Sequence, residues 1–142
     1  MAVTVPLGAY KRVPYVEPDG VTWAFVGYNW TGAAFLMHIR PSWGDTATPL
    51  ISLAGAAAGS EGISVSYDAS YSYEDPQTGE TVTAPASKVL VQINEATLEA
   101  LALGTPPDEA VELVYDLHVT PSGGVKRVAV QGSFSIYPGS TI

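Results

Sequence analysis

Between residues 62 and 74, apolar or aromatic side chains alternate with small polar ones without a break. Ile63, Val65, Tyr67, Ala69, Tyr71 and Tyr73 fall on one parity, and Ser64, Ser66, Asp68, Ser70 and Ser72 on the other. A period of two is the signature of a strand with one buried face, so the first set is predicted to share a face. The same period runs through Val111, Leu113, Tyr115, Leu117 and Val119. It resumes in Val128, Val130, Phe134 and Ile136 after Pro121-Ser122-Gly123-Gly124, which supplies the backbone freedom for a reversal. Shorter predicted strands are Trp23 to Val26, Ala33 to Arg40, Leu50 to Leu53, and the segment around Val89, Val91 and Ile93. In the second of these, Phe35, Met37 and Ile39 lie on one face and Leu36, His38 and Arg40 on the other, and Pro41 ends the strand.

Asp75-Pro76-Gln77-Thr78-Gly79 is a turn, and Glu80 to Thr83 restarts extended structure. Together these make a hairpin extension at about residues 67–86, whose tip is expected to project beyond a compact core. Only one helical piece stands out. Asn94 is a candidate cap, Glu95 suits the positive end of the helix, Leu98 and Leu101 share a side, and Gly104 stops it. Pro106-Pro107-Asp108 then leads into the closing hairpin. The count of about seven or eight strands, with turn signals between them, predicts an all-β, two-sheet antiparallel sandwich over residues 21–142.

Residues 1–20 have a different character. Pro6, Pro14 and Pro18 exclude a helix and interrupt any ladder, while Val3, Val5, Leu7, Tyr10, Val13, Tyr15 and Val16 are too apolar for a solvated tail. Two placements fit: an extended N-terminal arm lying on another surface, or an irregular first edge strand of the chain's own domain. On the first placement, removing residues 1–18 should weaken self-association without unfolding the sandwich.

Composition narrows the function classes. A chain of 142 residues with 46% apolar content can bury a core without staples, and it has no cysteine for a disulfide or thiolate metal site. Charged residues make up only 14%, so much of the surface is Ser, Thr, Gly, Tyr and Ala, which suits packing against copies or partners. A net charge of −8, with the basic residues scattered as Lys11-Arg12, Arg40, Lys88 and Lys126-Arg127, argues against nucleic acid. No apolar run reaches the length of a membrane span, and Met1 to Gly8 lacks the basic and apolar regions of a signal peptide, so synthesis in a cytoplasm is expected.

Candidate chemistry is sparse. His38 and His118 are both predicted on polar strand faces, where Asp116 could join them, but two histidines without a third ligand pattern do not specify a metal. Asp68, Glu74, Asp75 and Glu80 gather on the hairpin, and a solvated tip does not provide the enclosed cleft that paired carboxylates need for glycoside hydrolysis. No phosphate loop or nucleophile elbow is present. Neither catalytic residues nor a cofactor or metal is therefore expected. Trp30 and Trp43 sit in turn-rich stretches, with Tyr28 close by, and loop aromatics of this kind can stack on a sugar ring. Tyr67, Tyr71 and Tyr73 would need a neighbouring subunit if their strand outruns the core.

The order of elements resembles the Ig-like sandwich modules of tailed-bacteriophage structural proteins, which occur in baseplates, tails, necks and head decorations. The residues that carry it are Trp23-Ala-Phe-Val, Ala34-Phe-Leu-Met-His-Ile-Arg, Gly62-Ile-Ser-Val, and Val89 through Leu101. The closing strands Leu113-Val-Tyr-Asp-Leu-His-Val-Thr and Gly132-Ser-Phe-Ser-Ile-Tyr-Pro-Gly-Ser-Thr complete it. The extension at 67–86 and the arm at 1–20 depart from the pattern. The resemblance implies a non-enzymatic virion protein, assembled in the bacterial host cytoplasm, whose partners are copies of itself and other virion proteins. The expected interface residues are Val3, Val5, Leu7, Tyr10, Tyr15, Tyr71 and Tyr73. The alternative is a sandwich that recognises host surface glycan through Tyr28, Trp30 and Trp43.

Overall fold

The computed structural model describes residues 3–10, 13–17, 20–101 and 110–137. The expected helix stop at Gly104, the Pro106-Pro107-Asp108 lead-in and the Pro138-Gly139 end lie outside these residues. Ten elements follow in order: β1 (Val3–Thr4), β2 (Leu7–Tyr10), β3 (Thr22–Val26), β4 (Ala34–Arg40), β5 (Ile51–Ala54), β6 (Gly62–Glu74), β7 (Thr81–Gln92), α1 (Glu95–Glu99), β8 (Val111–Thr120) and β9 (Arg127–Tyr137). They form two sheets. The first runs β1–β9–β8–β4–β5, with β2 also on β9, and the second runs β3–β7–β6. The chain is an all-β sandwich with the strand order of an immunoglobulin-like fold: β3, β7 and β6 stand where strands B, E and D stand, and β9, β8, β4 and β5 where G, F, C and C′ stand.

The core is the inward parity of both sheets. Met37 and Ile39 from β4, Val89 and Val91 from β7, Leu117 and Val119 from β8, and Phe134 and Ile136 from β9 are all buried. Between the positions of strands B and F, antibody domains carry an inter-sheet disulfide. Here Trp23 of β3 stacks on Tyr115 of β8 instead, with ring centroids 6.4 Å apart and planes 14° off parallel. An aromatic pair of this kind adds about 0.5–1.5 kcal/mol beyond its buried area, so cross-sheet cohesion needs no cysteine.

Of the two placements open for the N-terminal segment, the second holds in this structure. Leu7 to Tyr10 pair in parallel with Phe134 to Tyr137, in the same register as Val3 and Thr4 with Val130 and Gln131. Pro6 interrupts the strand because it has no N–H to offer. Tyr15 then exchanges both backbone hydrogen bonds with Ile93 at the end of β7, at 2.8 Å each. The segment therefore straps the two sheets together. Gly132 is required for this, because a Cβ there would run into the Val5 backbone. Through that gap the Tyr115 hydroxyl donates to the Val5 carbonyl at 2.6 Å.

The helix is a single turn and a half with Leu98 buried, as its spacing implies. Asn94 occupies the N-cap position but makes no side-chain cap bond. Glu61 secures the turn instead, its Oε2 accepting from Asn94 N–H at 2.7 Å and from the Thr97 hydroxyl at 2.6 Å.

Candidate protein interface

The long hairpin forms, and its distal half stands clear of the sandwich. β3 pairs with β7 only from Ala86 to Leu90, whereas β6 and β7 remain paired out to Glu74 and Thr81. Residues 71–74 and 81–84 are thus a two-stranded ribbon with no third strand beside it among the described residues. Its turn is well defined. Asp75 N–H donates to the Glu80 carbonyl and Gly79 N–H to the Asp75 carbonyl, each at 2.8 Å. Asp75 Oδ1 also accepts from Gln77 N–H at 2.8 Å, and Gly79 takes the positive φ of 73° that closes such a turn.

One expectation about this strand is overturned. The register shifts between Asp68, opposite Ala86, and Tyr71, opposite Ala84. Two residues of β6 face the single residue Pro85, which is a β-bulge. Pro85 has no N–H for the ladder, so the pairing loosens where it sits. A one-residue slip moves every later side chain to the other face. Tyr71 and Tyr73 therefore lie on the face opposite to Ile63 and Val65, pointing away from the core.

The outer face of the second sheet can be read rung by rung from the pairing: Thr22, Leu90 and Ser64; Ala24, Lys88 and Ser66; Val26, Ala86 and Asp68; then Ala84 with Tyr71 and Val82 with Tyr73. The Tyr71 and Tyr73 rings stack 6.1 Å apart and 22° from parallel. The opposite face of the ribbon is polar, with the hydroxyls of Ser72 and Thr83 3.1 Å apart. The ribbon is amphipathic, and its apolar side continues the outer face. A concavity of about 810 Å³ is lined in part by this face, through Ala24, Ser66, Tyr71 and Lys88, and also by Glu17 and Phe35.

The other predicted interface residues divide. Val3 and Tyr10 are exposed, Tyr10 against Tyr137 with centroids 5.2 Å apart. Val5 and Leu7 pack against the core. Tyr15 is 3% exposed and packs 5.4 Å from Phe134, so it belongs to the interior and not to a docking surface. Burial pushes its hydroxyl up to about 12 and shifts that of Tyr115 upward as well.

Of the aromatic set read as a glycan site, Tyr28 and Trp30 come together, with ring centroids 5.1 Å apart, and Trp43 does not join them. Trp30 precedes β4 and Trp43 follows it, so the seven-residue strand Ala34–Arg40 separates them by about 20 Å or more. Trp30 is also only 4% exposed, between Phe25 at 4.5 Å and Phe35 at 6.1 Å. Ser87 explains why. Its buried hydroxyl accepts from Trp30 N–H and donates to the Tyr28 carbonyl, both at 2.8 Å, which folds the loop inward. Tyr28 remains exposed beneath the Arg127 guanidinium, 5.1 Å from its ring centre. Trp43, 57% exposed, stands by itself at the other end. It lines a recess of about 140 Å³ with His38, Arg40, Asp45 and Asp116.

His38 and His118 do share the outer face of the first sheet with Asp116. His38 is directly opposite Asp116, and His118 Nε2 lies 3.0 Å from Asp116 Oδ2. Arg40 approaches His38 Nδ1 at 3.4 Å. Burial, and next the Arg40 charge, lower the His38 pKa. Among the described residues no group of three or more His, Cys, Asp or Glu is placed to hold a metal. The carboxylates of Asp68 and Asp75 serve local turns, accepting from Ser70 and Gln77 N–H.

No protein-family model matches the chain. Nor does any curated protein match it in sequence.

Proposed function

We propose that this chain is a non-enzymatic structural subunit of a tailed-bacteriophage virion, in a tail or baseplate, neck or head decoration, and that it works through protein–protein contacts. The observation that carries the assembly role is the amphipathic ribbon, which holds Tyr71, Tyr73, Val82 and Ala84, all half-buried, on the face turned away from the core, with the exposed Ser72 and Thr83 on the other. Holding two tyrosines on an extended ribbon outside the core contributes nothing to that core, and a partner surface would bury them. The virion assignment rests on the resemblance of the element order, to which the immunoglobulin-like strand order is consistent support. The scarcity of charge fits a surface made for lateral packing. Sedimentation of lysates from the producing cells tests it: the chain is expected in fractions containing phage particles. Recovery solely as free protein contradicts the reading.

A second reading has one observation in its favour. Trp43 offers an open ring beside Arg40, Asp45 and Asp116, which is stacking area next to groups that can bond hydroxyls. Trp43→Ala should then abolish a glycan-array signal without changing the melting temperature. An array on which the native protein shows no signal removes this reading.

A further inference from the structure

The outer face of the β3–β7–β6 sheet carries two charges on its five successive rungs. Lys88 sits at the centre of the second rung, and Asp68 at the β6 end of the third. Every other position there is Ala, Ser, Thr, Val, Leu or Tyr. Lys88 lies opposite Ser66, so Asp68 is its diagonal neighbour, about 7–8 Å away. Among the described residues they form no ion pair with one another or with any third group: Asp68 uses Oδ1 to accept from Ser70 N–H at 2.9 Å, and Lys88 has no acidic partner.

We infer that this face packs on the same face of a second copy about a two-fold axis, with Lys88 of each chain meeting Asp68 of the other. This rests on the assembly role proposed above and names its partner. The reason for choosing a second copy is reciprocity. In a two-fold interface residue i meets j and j meets i, so the one unpaired cation and the one unpaired anion on these rungs complement themselves, while the exposed Glu17 lines the same concavity as Lys88 from outside the sheet. The axis lies in the plane of contact, midway between the two charges. Because they lie on a diagonal, it crosses the strands obliquely, and the two sheets pack in the crossed manner instead of the aligned one. The small residues Ala24, Ser64 and Ser66 let the sheets approach, and Tyr71 and Tyr73 close the margin of the contact along the ribbon. Burial of the pair behind that margin makes its loss costly in either direction, since one charge would be left unpaired.

Charge exchange on the full chain tests this, with mass from light scattering as the readout. The native protein is expected at twice 14.9 kDa. Lys88→Asp alone and Asp68→Lys alone should each weaken the dimer at least tenfold. An equimolar mixture of the two variants presents opposite charges at both contacts, and it should regain the dimer mass that neither variant reaches by itself. Circular dichroism melting confirms that each variant is folded. Ala24→Glu places a charge beside Lys88 without touching the bulge, and it should also give monomer. Native association that survives all three substitutions, or a mixture that stays monomeric, overturns this interface while leaving an assembly role through another surface intact. A native chain that is monomeric across a hundredfold range of concentration overturns both self-association and this interface.

Discussion

The N-terminal strap and the β6–β7 ribbon are both apolar, extended and outside the minimal sandwich pattern, yet they end in opposite situations. The strap finds two open places in its own domain: the free edge of β9, which Leu7 to Tyr10 fill, and the end of β7, which Tyr15 meets. Ala9 and Tyr15 are buried as a result. The ribbon outruns β3 and meets no further strand among the described residues, so its tyrosines stay half-buried and outside the core. Apolar content alone therefore does not say whose core a segment serves. What decides is whether an unpaired edge lies within reach of the chain that carries it.

The difference can be broken at several points, starting with the largest effect. Deleting residues 1–18 should abolish cooperative unfolding, because the loss of Tyr15, Ala9 and the β9 pairing exceeds about 5 kcal/mol, comparable with a domain's whole stability. This reverses the expectation for a detachable arm. A truncated chain with an unchanged melting curve would show that the strap is dispensable. Alkaline pH probes the same residue more gently. The Tyr15 hydroxyl is raised by burial to about 12, so the folded form holds its proton after the unfolded chain has lost it. Stability should be constant below about pH 10 and fall as pH rises toward 12, by about 1.4 kcal/mol per pH unit. Tyr15→Phe should make the fall less steep in a denaturation series measured against pH, the raised Tyr115 hydroxyl keeping its own share.

Gly132→Ala sharpens the comparison next. Its Cβ meets the Val5 backbone, so the strap must shift, at a cost of about 1–3 kcal/mol, measurable by urea titration. On the ribbon side the effect on stability should nearly vanish. Tyr71→Ser combined with Tyr73→Ser should change stability by less than about 0.5 kcal/mol, as surface changes usually do, while self-association is lost.

How much of this was legible beforehand follows from the range of each determinant. Local periodicity marked nearly every strand, including β4 and β8, and the turn at Asp75 to Gly79, because those depend on neighbours in sequence. Face assignment in β6 failed at one point only. The alternation from Ile63 to Tyr73 is perfect, but the bulge is set by the partner strand, and Pro85 was the visible signal that the ladder would loosen there. Trp30 and Trp43 have similar turn-rich flanks. Their opposite fates depend on Ser87, which lies 57 residues from Trp30 and carries no local mark of its role. The strap's apolar residues were evident, whereas the choice of β9 as their partner required the topology.

The central claim is that the ribbon's apolar face serves association and not the fold. Light scattering of the native chain and the Tyr71→Ser, Tyr73→Ser double variant, over a hundredfold range of concentration, tests it most directly. The account predicts a native mass above 14.9 kDa and a variant at that monomer mass with an unchanged melting temperature. Equal masses for the two proteins would contradict it.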